Sequence, residues 1–178
     1  IEEDKPGPRT VAWPGWRGPR RDGAAHDPGL LTAWPGKGPG RLWQAEGGAG
    51  FSCFGVGGGK VYTLVKQGQE EVVLCLDADT GKERWRHAYD PGSSFQYEGP
   101  RSMPTLDGDH LYVLGSAGLL LCLAPANGAV LWQHDLRKEF NVSAPSWGFA
   151  QSPLVEGDLV FVQPRGPNGK SVAAFKTD

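Results

Sequence analysis

The chain has 178 residues, a formal net charge of −2, 39% hydrophobic residues and 21% charged residues. This composition is typical of one medium-sized globular domain, and the interspersed charges exclude the basic surfaces that bind nucleic acid or anionic membranes. No apolar run approaches the roughly 20 residues that span a bilayer, and the acidic N-terminus is unlike a secretory leader, so we interpret the chain as mature or trimmed. The high content of Gly (27), Pro (15) and Trp (7) favours short strands joined by tight turns, and therefore an all-β fold.

Residues 1–40 lack hydrophobic periodicity and are crowded with Pro and Gly. Large aromatic side chains are costly to leave in water, so we predict that this segment is an ordered extension lying on the domain. We expect its guanidinium groups to pair with acids or stack on aromatic rings rather than to bind a polyanion. The residues concerned are Trp13, Trp16, Trp34, Arg17, Arg20 and Arg21.

Residues 41–178 are predicted to form a partial β-propeller of four-stranded antiparallel blades. Runs of apolar, β-branched or aromatic residues alternate with turn sequences such as Gly57-Gly58-Gly59 and Asp107-Gly108-Asp109. The predicted strands are 41–46; then 51–56, 60–65, 71–76 and 83–87; then 102–106, 110–114, 119–123 and 130–134; and finally 151–155, 159–163 and 171–175.

A repeat of about 47 residues, marked by Trp85 and Trp132, is typical of a propeller or solenoid. It gives blades at about 51–87, 102–134 and 151–178, of which the last lacks a fourth strand. Trp43 would lie in an outer strand, 41–46, of a preceding or closing blade. Because closed propellers have roughly 4 to 8 blades, we predict a fragment of a seven- or eight-bladed ring, or association that covers the exposed blade faces.

The segment from Cys75 to Trp85, Cys-Leu-Asp-Ala-Asp-Thr-Gly-Lys-Glu-Arg-Trp, resembles the repeat of pyrroloquinoline-quinone (PQQ)-like propellers. That superfamily includes quinoprotein alcohol dehydrogenases and the periplasmic propeller lipoprotein of the outer-membrane barrel-assembly machinery. Residues 13–19, 98–105 and 147–155 are similar to exported bacterial members. The resemblance implies a periplasmic or exported location, and structural docking of Trp43, Trp85 and Trp132 against turns of neighbouring blades.

The inter-blade links, 88–101 and 135–150, are about 15 residues long and lie at one end of the predicted ring, which suggests functional loops. Aromatic and polar side chains at a channel mouth suit a ligand site. The predicted contacts are Arg101, Tyr97, Glu98, Trp147 and Gln151, of which Arg101 and Gln151 enter channel-facing strands. Our first hypothesis is a non-catalytic binding module, with a protein or small-molecule ligand on this face and with no predicted cofactor, metal ligand or catalytic residue.

Two alternatives remain. A quinoprotein alcohol dehydrogenase would hold PQQ and Ca²⁺ over the channel and use an Asp as base. The chain has no adjacent Cys-Cys pair and no obvious carboxylate companion for Trp147, which weighs against that activity. A structural scaffold of an envelope complex would instead use edge strands or the Trp-rich extension as its contact.

Several motifs are better explained by structure than by function. The acidic turn from Asp77 to Gly81 resembles half a calcium loop, but its repeat copy at 124–128 keeps the turn residues and loses both acids. The Gly-Lys pairs at 59–60 and 169–170 precede strands and lack the P-loop spacing. We expect strand-surface roles for the histidines and core packing for two cysteines. These residues are His26, His87, His110, His134, Cys75 and Cys122.

Overall fold

Three antiparallel sheets contain all the strands found in the described part of the chain. The structure is a computed structural model and describes residues 12–25, 33–34, 36, 38–93, 95–167 and 169–178. His26 and parts of the predicted extension lie outside these residues. The prediction of an all-β fold built from four-stranded blades is confirmed, and the third sheet has three strands as expected.

Each sheet follows the chain as a simple meander, with neighbouring strands paired antiparallel. Blade 1 contains β1 (Gly55–Gly57), β2 (Lys60–Gln67), β3 (Glu70–Asp77) and β4 (Glu83–Tyr89). Blade 2 contains β5 (Thr105–Asp107), β6 (His110–Leu114), β7 (Leu119–Leu123) and β8 (Val130–Asp135). Blade 3 contains β9 (Leu154–Glu156), β10 (Leu159–Val162) and β11 (Ala173–Lys176).

The blades pack face to face through their middle strands, which are apolar on both faces. Between blades 1 and 2 the core contains Tyr62, Leu64, Val73, Cys75, Leu111, Val113, Leu121 and Leu123. Between blades 2 and 3 it contains Tyr112, Cys122, Val155 and Val160, with Leu114, Leu120 and Val162 alongside. Cys75 and Cys122 are 0% exposed, which confirms their predicted core role, and burial raises the pKa of each thiol to about 11.

The inner strands are shorter than predicted. They begin at Gly55, Thr105 and Leu154, three or so residues after the expected starts at 51, 102 and 151. Pro104 and Pro153 immediately precede two of these starts, and a proline has no N–H with which to extend a β-ladder. The residues before these starts form no regular strand, and several of them line a cavity instead.

Three further differences concern the ends of the blades. Residues 41–46, predicted as an outer strand, have no strand partner among the described residues and form no strand. Trp16 and Trp34 are 61% and 56% exposed, contrary to the expected burial. The link after β8 contains a short helix, α1 (Leu136–Phe140), whose N-terminus is capped by the Asp135 side chain accepting from the N–H groups of Arg137 and Lys138. No helix in the described residues is long and apolar enough to cross a membrane.

Candidate ligand-binding site

A cavity of about 670 Å³ lies where the chain enters the inner strands of the three blades. Its lining is largely apolar with a few polar groups, which is the usual character of a ligand site. Its walls include Trp16, Phe51, Cys53, Arg101, Met103, Gln151, Ser152, Leu154, Phe161, Gln163 and Val172. Two of the five predicted contacts, Arg101 and Gln151, are therefore brought together here.

The guanidinium of Arg101 is held by the link that precedes β5. Its Nη1 donates to the carbonyl oxygen of Gly99 at 2.8 Å, and its Nη2 donates to the carbonyl oxygen of Tyr97. The same group lies 5.5 Å from the centre of the Phe51 ring, within the range of a cation–π contact. Arg101 is the only charged side chain in the described cavity lining, so the cavity has a fixed positive charge beside apolar walls.

Tyr97 and Trp147 form a stacked aromatic pair that joins the two inter-blade links. Their ring centres are 4.8 Å apart and their planes are inclined by 8°. Both rings remain open to solvent, with 44% and 58% of the residue exposed. Arg101 donates to the Tyr97 carbonyl oxygen, and this hydrogen bond holds the aromatic stack next to the guanidinium that lines the cavity.

The Gln151 side chain is bonded to the backbone of Gln163, the residue that follows β10. Its Nε2 donates to the carbonyl oxygen of Gln163 at 2.9 Å, while its Oε1 accepts from the Gln163 N–H at 2.8 Å. This pair of bonds replaces the strand ladder that Pro153 cannot continue. Gln151 therefore shapes the wall, and both of its polar ends already have partners.

Glu98, the remaining predicted contact, does not line this cavity. Its carboxylate pairs with the ammonium group of Lys66 at 2.9 Å, in a separate cleft of about 360 Å³. The prediction treated the link residues as one surface, but Glu98 and Arg101 are three positions apart and their side chains reach different places. The five predicted residues thus divide into a cavity pair, an aromatic stack and an ion pair.

A buried carboxylate beside that cleft was not predicted. Glu71 is 1% exposed and accepts hydrogen bonds from the Tyr89 hydroxyl at 2.7 Å, the Ser116 N–H at 3.1 Å and the Ser116 hydroxyl. Burial, followed by the neighbouring Glu71 charge, raises the pKa of Tyr89 well above its ordinary value. Glu71 thus fastens blade 1 to the turn after β6 in blade 2.

The repeat contains a signal that could have identified Glu71. Aligning Trp85 with Trp132 places Glu71 opposite Gly118 and Tyr89 opposite Leu136, so this hydrogen-bonded pair is absent from the second copy. Both members lie on paired positions of neighbouring strands in blade 1. When polar residues replace the repeat's residues at two paired positions of one copy only, their side chains serve a role that the other copy lacks.

The tryptophans predicted to dock lie against the turn of the following blade. The indole N–H of Trp43 donates to the carbonyl oxygen of Ala78 at 2.9 Å, that of Trp85 to Pro125 at 3.0 Å, and that of Trp132 to Thr177 at 3.3 Å. Trp43 makes this contact although residues 41–46 form no strand. The repeated geometry links each blade to the next and leaves the cavity between the inner strands.

The acidic turn that resembles half a calcium loop is stabilised internally. Asp77 Oδ1 accepts from the Thr80 N–H at 2.8 Å and from the Thr80 hydroxyl at 2.7 Å, and Arg84 donates to Asp77 Oδ2. The Arg84 and Thr80 hydrogen bonds hold the pKa of the Asp77 carboxyl well below its usual range. Asp77 therefore acts as a turn residue, in agreement with the structural interpretation.

The cavity lining does not fit calcium with a quinone cofactor. Calcium prefers six to eight oxygen ligands that include carboxylates. The described lining residues contain no carboxylate, and their side-chain oxygens belong to Gln151, Gln163 and Ser152. Two of these are already engaged, because Gln151 Oε1 accepts from the Gln163 N–H at 2.8 Å and Ser152 Oγ accepts from the Met103 N–H at 3.0 Å. No step of a quinone-dependent reaction is therefore assigned to these residues.

Comparison with known families gives one match that covers more than half of the chain. The model described as "Outer membrane protein assembly factor BamB", a PQQ-like repeat family, matches residues 69–178. No curated protein matches the chain. The matched region contains β3 and all later strands, together with the predicted contacts Tyr97, Glu98, Arg101, Trp147 and Gln151.

Similar solved structures include BamB from Moraxella catarrhalis, with 21% identity over 71% of this chain and 33% of that chain, at a TM-score of 0.48. Quinohemoprotein alcohol dehydrogenase from Comamonas testosteroni has 22% identity over 66% of this chain and 17% of its own, at a TM-score of 0.50. Quinohemoprotein alcohol dehydrogenase ADHIIG from Pseudomonas putida HK5 has 22% identity over 67% of this chain and 17% of its own, at a TM-score of 0.47. The chain thus spans a third or less of these proteins, and the likeness concerns the fold.

Proposed function

Because the chain belongs to the PQQ-like repeat family of the outer membrane protein assembly factor BamB, we propose that it is a non-catalytic binding module of the bacterial cell envelope. In this proposal the module resides in the periplasm or is exported, and it holds a protein partner on the loop-rich face of the propeller. The partner contacts the Tyr97–Trp147 stack and Arg101 at the cavity mouth.

The observation that carries this proposal is the exposed aromatic stack beside a positively charged cavity. Exposed aromatic groups rimmed by polar residues are characteristic of interaction sites. Tyr, Trp and Arg are also the residue types that contribute most to protein–protein affinity. Here all three occur together as Tyr97, Trp147 and Arg101, and hydrogen bonds from the guanidinium to the link backbone fix their arrangement before any partner binds.

The same cavity is poorly suited to acid–base or nucleophilic chemistry. Cys53 and Ser152 are the nucleophile-type side chains in the described lining, and that lining includes no His, Asp or Glu that could act as their base. The Ser152 hydroxyl is engaged with the backbone of Met103. These features support binding rather than catalysis as the function of the site.

The chemistry of the mouth favours a peptide segment that carries an apolar side chain and an acidic group. The apolar group would enter between Phe51, Leu154 and Val172, and the acidic group would meet Arg101, the single charged group among the described lining residues. A protein bound in this way could be held for assembly, which is the scaffold role that the family description suggests.

The test is a selection of short peptides from a random library against the full chain, followed by fluorescence anisotropy with the selected peptide. The Arg101→Ala/Trp147→Ala variant should bind it at least about tenfold more weakly, because tenfold corresponds to only about 1.4 kcal/mol. Leu131→Ala, which alters another exposed apolar residue, on the outer strand β8, should bind as wild type does.

Equal affinity of wild type and the double variant would contradict the proposed site. A parallel titration with PQQ and Ca²⁺ tests the alternative activity. Tight cofactor binding with dye-linked oxidation of an alcohol would replace the binding-module proposal by a dehydrogenase. Selection of a peptide, together with no binding of PQQ at micromolar concentration, would support the proposal.

A further inference from the structure

Residues 13–21, here called the strap, cross the inner strands of all three blades. At one end Trp13 and Val56 form an isolated antiparallel bridge, in which each N–H donates to the other carbonyl oxygen at 2.9 Å. Next, the Leu106 N–H donates to the carbonyl oxygen of Pro14 at 2.7 Å. The strap is therefore bonded to β1 and β5 although it lies outside the part of the chain that the family model matches.

The other end of the strap is fixed to blade 3. Arg21 Nη1 lies 2.7 Å from Glu156 Oε2, and its Nη2 donates to the carbonyl oxygen of Val155. Between the two ends the chain turns sharply, with the Gly18 N–H donating to the Gly15 carbonyl oxygen at 2.9 Å. Gly18 has a positive φ of 78°, and a methyl group there would meet the Trp13 ring at 2.8 Å. The turn directs Trp16 toward the inner strands.

Trp16 stands between two cavities. One is the 670 Å³ cavity that contains Arg101, and the other, of about 540 Å³, lies between the strap and β5 and β9. Trp16, Ser152 and Leu154 line both cavities. Trp16 is 61% exposed, so the indole is open to solvent instead of being packed into a core.

We propose that Trp16 is a ligand-contacting residue that sets the depth of the site. The inference rests on the proposed function, because it concerns the same cavity. The indole lines the same cavity as Arg101 and also lines the neighbouring one, so in this proposal it is the barrier between them, and a ligand places one apolar group against it without passing the strap. The ligand class is thus a segment or terminus with an apolar ring beside an acidic group, held between the indole and the guanidinium.

The test uses anilinonaphthalene sulfonate, an anionic aromatic probe whose fluorescence increases when it leaves water. The probe should bind the wild-type chain and protect Cys53, which lines the same cavity as Arg101 and Trp16, from iodoacetamide. Trp16→Ala should weaken binding by about two- to tenfold, the usual range for one aromatic contact. Trp16→Phe should retain most of the affinity because it keeps a ring.

Two further variants examine the strap. Arg21→Gln removes the charge that pairs with Glu156 and should weaken probe binding in the same direction as Trp16→Ala. Arg20→Ala is the matched control, since Arg20 is exposed and has no hydrogen bond or ion pair with any other described residue. Urea unfolding should give similar stability for Trp16→Ala and wild type, because the indole is mostly exposed.

The outcomes separate this inference from the proposed function. Weaker binding by Trp16→Ala and by Arg101→Ala supports both. Weaker binding by Arg101→Ala alone overturns the role of Trp16 and leaves the proposed site standing. Weaker binding by Trp16→Ala alone supports the role of Trp16 and contradicts that of Arg101. Absence of probe binding to wild type, or failure of the probe to protect Cys53, overturns the inference.

Discussion

Replacement of Gly128 by alanine tests how the blades are fastened together. Gly128 lies in the turn after β7 with a φ of 75°, and an added methyl group would be 2.6 Å from Cε3 of Trp85. The Trp85 ring cannot retreat freely, because its N–H donates to the carbonyl oxygen of Pro125 in the same turn at 3.0 Å. The substitution therefore strains the backbone and displaces the docked indole of the preceding blade.

Gly108 provides a matched control for the backbone contribution. It also has a positive φ, 53°, in a turn of the same blade, but a methyl group there would meet no atom within 4 Å. We expect Gly108→Ala to cost about 1 kcal/mol of unfolding free energy, the strain of a left-handed residue. Gly128→Ala should cost about 2–4 kcal/mol, since overpacking of the ring adds about 1–3 kcal/mol.

The assay is urea unfolding of the full chain, followed by far-ultraviolet circular dichroism. A Trp85→Ala background removes the ring, so in that background Gly128→Ala should cost no more than Gly108→Ala does. Equal costs for the two glycine substitutions in the wild-type background would refute the reasoning. So would a Gly128→Ala penalty that persists in full when the Trp85 ring is absent.

The remaining predictions concern buried polar groups and thiols. Tyr89→Phe should lower the unfolding free energy by about 1.5–3 kcal/mol, because the buried Glu71 carboxylate loses a charge-assisted hydrogen bond; no loss in urea unfolding would show that this bond is dispensable. The free energy of unfolding should keep its full value below pH 9 and fall as pH rises toward 11. The thiols of Cys75 and Cys122 have a pKa near 9 when unfolded and about 11 when folded, so between these values ionisation favours the unfolded state. The loss of unfolding free energy is at most about 2–3 kcal/mol per thiol. If the unfolding free energy of the Cys75→Ala/Cys122→Ala variant fell as steeply with pH as that of wild type, this prediction would be contradicted. At pH 8, iodoacetamide should modify Cys53 rapidly and the two buried thiols only after unfolding, as peptide mass spectrometry can establish.

The blades could be predicted because their pattern is local and repeated. Alternation of apolar residues, turn glycines and a terminal Trp recur in successive copies, so Trp85 and Trp132 define equivalent positions without any structure. The late start of the inner strands was less predictable. The start at 102 was predicted from the repeat, but Pro104 lies immediately before Thr105 and has no N–H for a β-ladder, so the strand begins at Thr105.

The candidate site was only partly predictable, because its members depend on the direction of single side chains. Arg101 was predicted to face the channel from its position at the entry to an inner strand, and its side chain lines the cavity. Position in the link did not distinguish Glu98 from the residues that line the cavity, although the Glu98 carboxylate pairs with Lys66. Trp16 was expected to be buried, because aromatic burial is the general rule, whereas the strap turn presents its ring to a cavity. Such placements follow from long-range contacts that a linear pattern does not contain.

The most direct test of the account is site-specific photocrosslinking with the peptide selected against the full chain. Benzoylphenylalanine at position 147 would replace one ring of the aromatic stack, and the same group at position 131 would lie at another exposed position, on the outer strand β8. The account predicts a crosslink from position 147 that excess unlabelled peptide abolishes, and none from position 131. A crosslink from position 131 alone would contradict a binding site at the cavity mouth.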